Sequence, residues 1–270
     1  HSLHPPPETA ITKLNAEQYV DNRTGEVKEF QHIENRAEDQ ASVRQSLRRL
    51  RDLINANLSD PQRALWVTLT YAENMTDPAK LYQDYRRFWQ RLKYYLAKHG
   101  LPPAEYIIAA EPQGRGAWHL HCLFLFPRHA PYISNADISA LWKHGFTKTK
   151  GLFGIDNPGL YLTAYLGDME LTEALDAQCT GPLKKASGQS GPRKAVIKGA
   201  RLSLYPSGFN LYRHSQGVAV PKISQMTEEQ AQAIIGDAPL TYEKTVALMD
   251  EDGKTVNIIH YRQYNRARTN

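Results

Sequence analysis

An α+β fold is predicted by three observations. Residues 104–126 read AEYIIAAEPQGRGAWHLHCLFLF, two apolar runs split by Gly114-Arg115-Gly116, which is the pattern of a hairpin of central strands. Residues 64–71, ALWVTLTY, are rich in β-branched and aromatic side chains and add a further strand. Leu81, Tyr85, Phe88, Leu92 and Leu96 recur at helical spacing after an Asp77 cap and Pro78, and Val43, Leu47, Leu50, Ile54 and Leu58 form a second such stripe.

The remaining elements follow in chain order. Residues 8–33 predict a hairpin, with ITKLNAEQYV and EVKEFQHI as strands around Asn22-Arg23-Thr24-Gly25. The helix from about Asn35 to Leu58 carries Arg44, Arg48, Arg49 and Arg51, read as a solvated basic face. The Asp77 helix runs to about His99. Residues 135–143 predict a short helix, and His144 to Lys148 a strand or loop. Residues 157–168, NPGLYLTAYLGD, start a helix at Pro158 and put Tyr161 and Tyr165 four apart on one face. Thr227 to Ile235 predicts a capped helix, and Val246 to Met249 with Thr255 to Ile259 a hairpin around Asp252-Gly253. The expected organisation is an N-terminal extension over 1–60, a central domain over 61–205 and a C-terminal appendage over 206–270.

Composition narrows the class. With 270 residues and 41% hydrophobic content the chain can bury one substantial core. No stretch approaches the roughly 20 apolar residues of a membrane span, and the first residues, HSLHPPP, lack a secretory leader. The absence of a starting Met suggests that the chain is trimmed. Two cysteines, Cys122 and Cys179, imply neither a disulfide scaffold nor a zinc cluster, and a soluble cytoplasmic protein is expected. No GxxxxGK[ST] occurs, which excludes a visible ATPase motor. The net charge of +5 is unevenly spread: residues 177–226 contain no Asp or Glu, while Lys184, Lys185, Arg193, Lys194, Lys198, Arg201, Arg213 and Lys222 give that segment +8. Such a segment is either an electrostatic footprint for phosphate backbones or a basic linker.

His119-Leu120-His121 opens the second strand of the central hairpin, so alternation puts both imidazoles on one face and Leu120, Cys122 and Phe124 on the other. A turn centred on Arg115 places Glu111 directly across from His119. Two imidazoles and a carboxylate, with positions left for water and phosphate oxygens, suit a divalent ion acting as a Lewis acid. Tyr161 and Tyr165 are then candidates for the nucleophile that such a site lacks.

The order of Trp66-Val-Thr-Leu-Thr-Tyr71, Glu111 with His119-Leu120-His121, then Tyr161 and Tyr165 resembles the three motifs of HUH endonucleases of the rolling-circle replication initiator branch. The resemblance covers roughly residues 61–170 and is nearest to plasmid initiators and those of single-stranded DNA phages. In conjugative relaxases the tyrosine precedes the histidines; here it follows them. The resemblance implies an antiparallel sheet of about five strands, an HUH/RRM-like palm, flanked by helices. It also implies Mg²⁺ or Mn²⁺ at Glu111, His119 and His121, single-stranded DNA at an origin hairpin as substrate, and a 5′-phosphotyrosine link with a free 3′-OH. Host helicase and polymerase would be partners. Thr70 and Tyr71 belong to the first motif, structural or DNA-binding, and Arg115, Arg193, Lys194, Lys198 and Arg201 are further DNA-contacting candidates.

In that family a lysine stands just before the second tyrosine and another three residues after it; here those positions are Ala164 and Asp168. Tyr165 is expected as primary nucleophile with Tyr161 as the second. Asp168 at the metal, and Lys184 or Lys185 supplying the displaced charge, stay open. Two other readings compete: a single-strand DNA transposase of the same superfamily, and a DNA-binding regulator whose His-x-His is structural.

Overall fold

The computed structural model describes residues 11–15, 17–22, 24–29, 39–152, 158–167, 169–170, 183–185, 195–197, 200–249 and 253–264, with the backbone alone described at several of them, Tyr161 and Tyr165 included. Contacts divide the chain into a unit of Ile33–Pro221 and a unit of His1–His32 with Lys222–Asn270.

In the second of these, β1 (Ile11–Lys13), β2 (Gln18–Asp21) and β3 (Val27–Glu29) form a three-stranded antiparallel sheet. The turn at Asn22 to Gly25 falls where expected, but the first expected strand is broken in two. Asn15 is the reason: its side-chain oxygen accepts from both Glu17 N and Gln18 N at 2.8 Å, an Asx turn that reverses the chain.

The larger unit begins with α1 (Gln40–Asn57), capped by Asp39, whose side chain accepts from Ser42 N at 3.0 Å. A 3₁₀ turn at Pro61–Arg63 leads into β4 (Ala64–Leu69). Next, α2 (Pro78–Lys98) starts at Asp77, which accepts from Ala79 N at 2.8 Å, with Pro78 at the first helical position. Then come β5 (Glu105–Pro112), β6 (Trp118–Leu125), α3 (Asn135–Trp142), β7 (Thr147–Gly151) and α4 (Pro158–Gly167). A small sheet of β8 (Met169–Glu170), β9 (Leu183–Lys185) and β10 (Ala195–Ile197) in the order β8-β10-β9 precedes a 3₁₀ turn at Ala200–Leu204 and β11 (Tyr212–His214).

The expected α+β architecture is present: an antiparallel sheet of five strands in the order β11-β5-β6-β4-β7, with helices on both faces. Strand alternation sorts its side chains into two cores. One holds Val67, Leu69, Ile108, Ala110, Leu120, Cys122 and Phe124 under the predicted stripe of α2 and under Ile138 and Trp142 of α3. The other holds Trp66, Ile107, Ala109, Leu123 and Leu125 under Leu50, Leu53 and Ile54 of α1 and Leu162 and Leu166 of α4. Both α1 and β11 therefore belong to the sheet unit, one before and one after the expected 61–205 domain.

In the unit completed by Lys222–Asn270, α5 (Glu228–Ile235) carries the expected cap, with Thr227 and Gln230 reciprocally bonded. The tail hairpin, β12 (Leu240–Met249) and β13 (Thr255–Tyr264), is longer than expected. Among the described residues no helix is long and apolar enough to cross a membrane.

Candidate active site

The turn between β5 and β6 sets the geometry. Gly116 N donates to Gln113 O at 2.7 Å, and Gly116 sits at φ 83°, closing a three-residue loop with a conformation that a side chain would strain. The register that results puts Glu111 opposite His119 and Ala109 opposite His121. Across the other ladder Thr68 of β4 lies opposite His121. Glu111, His119, His121, Thr68 and Trp66 thus share one sheet face, the face that α1 and α4 cover.

The side chains converge on Glu111. Its Oε2 is hydrogen-bonded to His121 Nε2, and its Oε1 accepts from Arg201 Nη2 at 2.9 Å. Arg201 also donates from Nη1 to Pro112 O at 2.7 Å and is only 5% exposed. On the far side of His121, Nδ1 is 3.3 Å from Thr68 Oγ1, which accepts from Trp66 Nε1 at 3.3 Å. With His121 protonated at Nε2, donors run in one direction from Trp66 through Thr68 and His121 to Glu111. Tyr205, fully buried, shares its hydroxyl proton between Ala110 O at 2.8 Å and Leu166 O at 3.2 Å, tying the end of α4 to the strand position next to Glu111.

Electrostatics keep these groups in ligand-ready form. Burial pushes the Glu111 carboxyl upward, but His121, Arg201 and His119 outweigh it and hold it below its usual range. Burial lowers His119 to about 4 despite the attraction of Glu111, so its imidazole is neutral at pH 7 with a lone pair available. Among the described residues no three His, Cys, Asp or Glu side chains are grouped as a finished metal cage. The donors fit a divalent ion in kind, a charged carboxylate and neutral imidazole on one face, and the Glu111–His121 hydrogen bond is the contact that an ion would replace.

Tyr161 and Tyr165 lie on α4, described through their backbone alone, and each precedes a residue of the core beneath, Leu162 and Leu166. Gly159 sets how closely that helix approaches α1: its N–H donates to Asn55 Oδ1 at 3.2 Å, and a Cβ there would meet Arg51 O at 2.7 Å.

The other sequence candidates separate. Thr70 donates from Oγ1 to Phe146 O at 2.7 Å, joining the ends of β4 and β7. Tyr71 is buried, and its hydroxyl donates to Asp84 Oδ2 at 3.1 Å, which makes it part of the core. Arg115 stands at the hairpin tip, with Nε 3.2 Å from Gln113 Oε1. Arg201, grouped with the DNA-contacting residues from its place in the basic segment, is at the site itself, held inward by Glu111 and Pro112. Lys184 and Lys185 are described as backbone of β9; Asp168, Arg193, Lys194 and Lys198 lie outside the described residues. Sequence reasoning missed three residues. Thr68 was within reach, since it alternates with Trp66 on a strand; the site roles of Arg201 and Tyr205 have no local signature, because both arrive from a 3₁₀ turn far along the chain.

Residues 64–170 match the family model of the replication-associated protein ORF2. The match runs from the start of β4 through α4, so it takes in Thr68, Glu111, His119, His121, Tyr161 and Tyr165, and it supports a replication initiator. No curated protein and no solved structure is significantly similar to the chain.

Proposed function

We propose that the chain is a rolling-circle replication initiator that nicks single-stranded DNA at an origin through a tyrosine nucleophile and rejoins strands at termination. The observation that carries this reading is the sharing of one sheet face by Glu111, His119 and His121 with α4, the helix of Tyr161 and Tyr165, inside the span that matches the replication-associated family.

Glu111, His119 and His121 would hold Mg²⁺ or Mn²⁺, which when bound supplies Lewis-acid polarisation of the scissile phosphate. A tyrosine phenol, with a free pKa near ~10, is a weak nucleophile at neutral pH, so its oxygen must be held in line with the phosphorus. Attack by Tyr165 or Tyr161 forms the phenolic O–P bond as the bond from phosphorus to the 3′-oxygen breaks. The phenolic proton is released and the leaving oxygen is protonated. The product is a 5′-phosphotyrosine and a 3′-OH; the ester is conserved, so rejoining needs no ATP. Arg201 and Thr68 act on Glu111 and His121 and keep both oriented.

The test is incubation with a 3′-labelled oligonucleotide and Mn²⁺ followed by a denaturing gel. A covalent adduct that disappears with excess chelator supports the nickase. Retained binding without any adduct favours a DNA-binding regulator. A transposase of the same superfamily would form the adduct and join it to a second, non-origin strand.

A further inference from the structure

Helix α1 bears a stripe of arginines that reads from sequence as an ordinary solvated face. Its surroundings say otherwise. Arg44, Arg48 and Arg51 stand four and three residues apart, so they share one side of the helix and climb it in steps of about 6 and about 4.5 Å. Together with Ser42, Gln45 and Leu47 they line a groove of about 810 Å³, whose α4 wall is Thr163. None of the described residues lining it is acidic; Asp52, 3.8 Å from Arg51 Nε, is not part of the lining. Three guanidinium groups in one concavity repel each other and concentrate a positive field that an anion relieves. Thr163 is also held in place, its Oγ1 donating to Gly159 O at 2.8 Å within α4.

The position of the groove indicates which anion. Thr163 falls between Tyr161 and Tyr165 in the same helix, and Gly159 binds that helix directly to α1 at Asn55. An anion in the groove therefore lies beside the helix of the candidate nucleophiles. A linear polyanion fits three arginines in file better than a small one does. We propose that this α1–α4 groove binds the sugar-phosphate backbone of the single-stranded substrate, as a track leading to the cleavage site. The inference rests on the nickase reading for the identity of the strand, and on the groove alone for its chemistry. It puts the electrostatic footprint on α1, which lies outside both the matched span and the basic segment of residues 177–226.

The experiment is fluorescence anisotropy of a labelled single-stranded oligonucleotide, titrated at several salt concentrations in chelator so that no cleavage intervenes. Each phosphate contact contributes roughly 0.7 to the slope of log affinity against log salt. Replacing Arg44, Arg48 and Arg51 together with Ala is expected to make the slope shallower by about 2, and the Arg→Lys triple variant to restore most of it by keeping the charge. Lys93→Ala with Lys98→Ala, on exposed positions of α2, is expected to leave the slope unchanged. An unchanged slope in the Ala triple variant, or no single-strand binding by the unmodified chain, overturns the groove. The adduct assay judges the nickase separately: a flattened slope in a chain that forms no adduct leaves the groove standing and sinks the nickase.

Discussion

Glu111 is the residue through which the site is held together, since both of its oxygens are engaged and it is only 8% exposed. Removing one partner of a buried ion pair costs about 3–5 kcal/mol, because the other charge is left desolvated and unpaired. Arg201→Ala is expected to lower stability by that order in a urea melt. The milder Arg201→Lys keeps a charge but loses the two-pronged grip on Glu111 and Pro112, and is expected to weaken Mn²⁺ binding about 10–100-fold by calorimetry. Unaltered metal affinity in Arg201→Lys would mean that Glu111 does not depend on it. A second residue-scale prediction concerns Asp84, buried on α2, where it accepts from Tyr71 Oη and from Lys80 Nζ and lies 3.6 Å from both Arg87 Nη1 and His144 Nε2. Burial pushes its carboxyl up, but Lys80, Tyr71 and His144 prevail and the net shift is downward. The unfolded chain then binds a proton that the folded chain does not. Asp84 stabilises the fold above the unfolded value of about 4, and that contribution is lost as pH falls through the lower folded value. Asp84→Asn is expected to flatten stability against pH below about 4; an equally steep acid limb would remove Asp84 from the cause.

At the scale of elements, α4 is positioned by its neighbours. Gly159→Ala brings a methyl against Arg51 O and Asn55 Oδ1, so α4 must move off α1. The expected result is a rate of adduct formation at least ~10-fold lower with a nearly unchanged melting temperature, since a misplacement of about 1 Å can cost ~10²-fold in rate. Tyr205→Phe leaves the buried carbonyls of Ala110 and Leu166 without their donor and is expected to cost about 1–3 kcal/mol by denaturant titration. Elements of this kind also mark what the sequence could say. The stripes of α1 and α2, the Asp77-Pro78 start and the hairpin register about Arg115 were all legible because each depends on local spacing. The Asn15 turn went unread because one side chain overrode a strand-like run. The approach of Arg201 and Tyr205 to Glu111 was invisible, since long-range closure leaves no local pattern. The arginines of α1 were legible as a stripe but not as a groove, because Thr163 is far away in sequence.

Over the whole molecule, the sheet, its two cores and every described site residue lie in Ile33–Pro221. That unit has its own hydrophobic core, which is the condition for folding alone. A fragment of residues 33–221 is expected to melt cooperatively and to retain adduct formation on a short oligonucleotide; a fragment that folds but is inert would assign part of the chemistry to the other unit. The central claim, that a tyrosine of α4 becomes linked to DNA, is tested most directly by locating the bond. The adduct formed in Mn²⁺ is digested with protease and nuclease, and the nucleotide-bearing peptide is sequenced by mass spectrometry. The expected attachment is at Tyr165, with Tyr161 taking it over in Tyr165→Phe and no adduct in the double Phe variant. A nucleotide on any residue outside 158–167, or an adduct that survives in the double variant, would contradict the proposed mechanism.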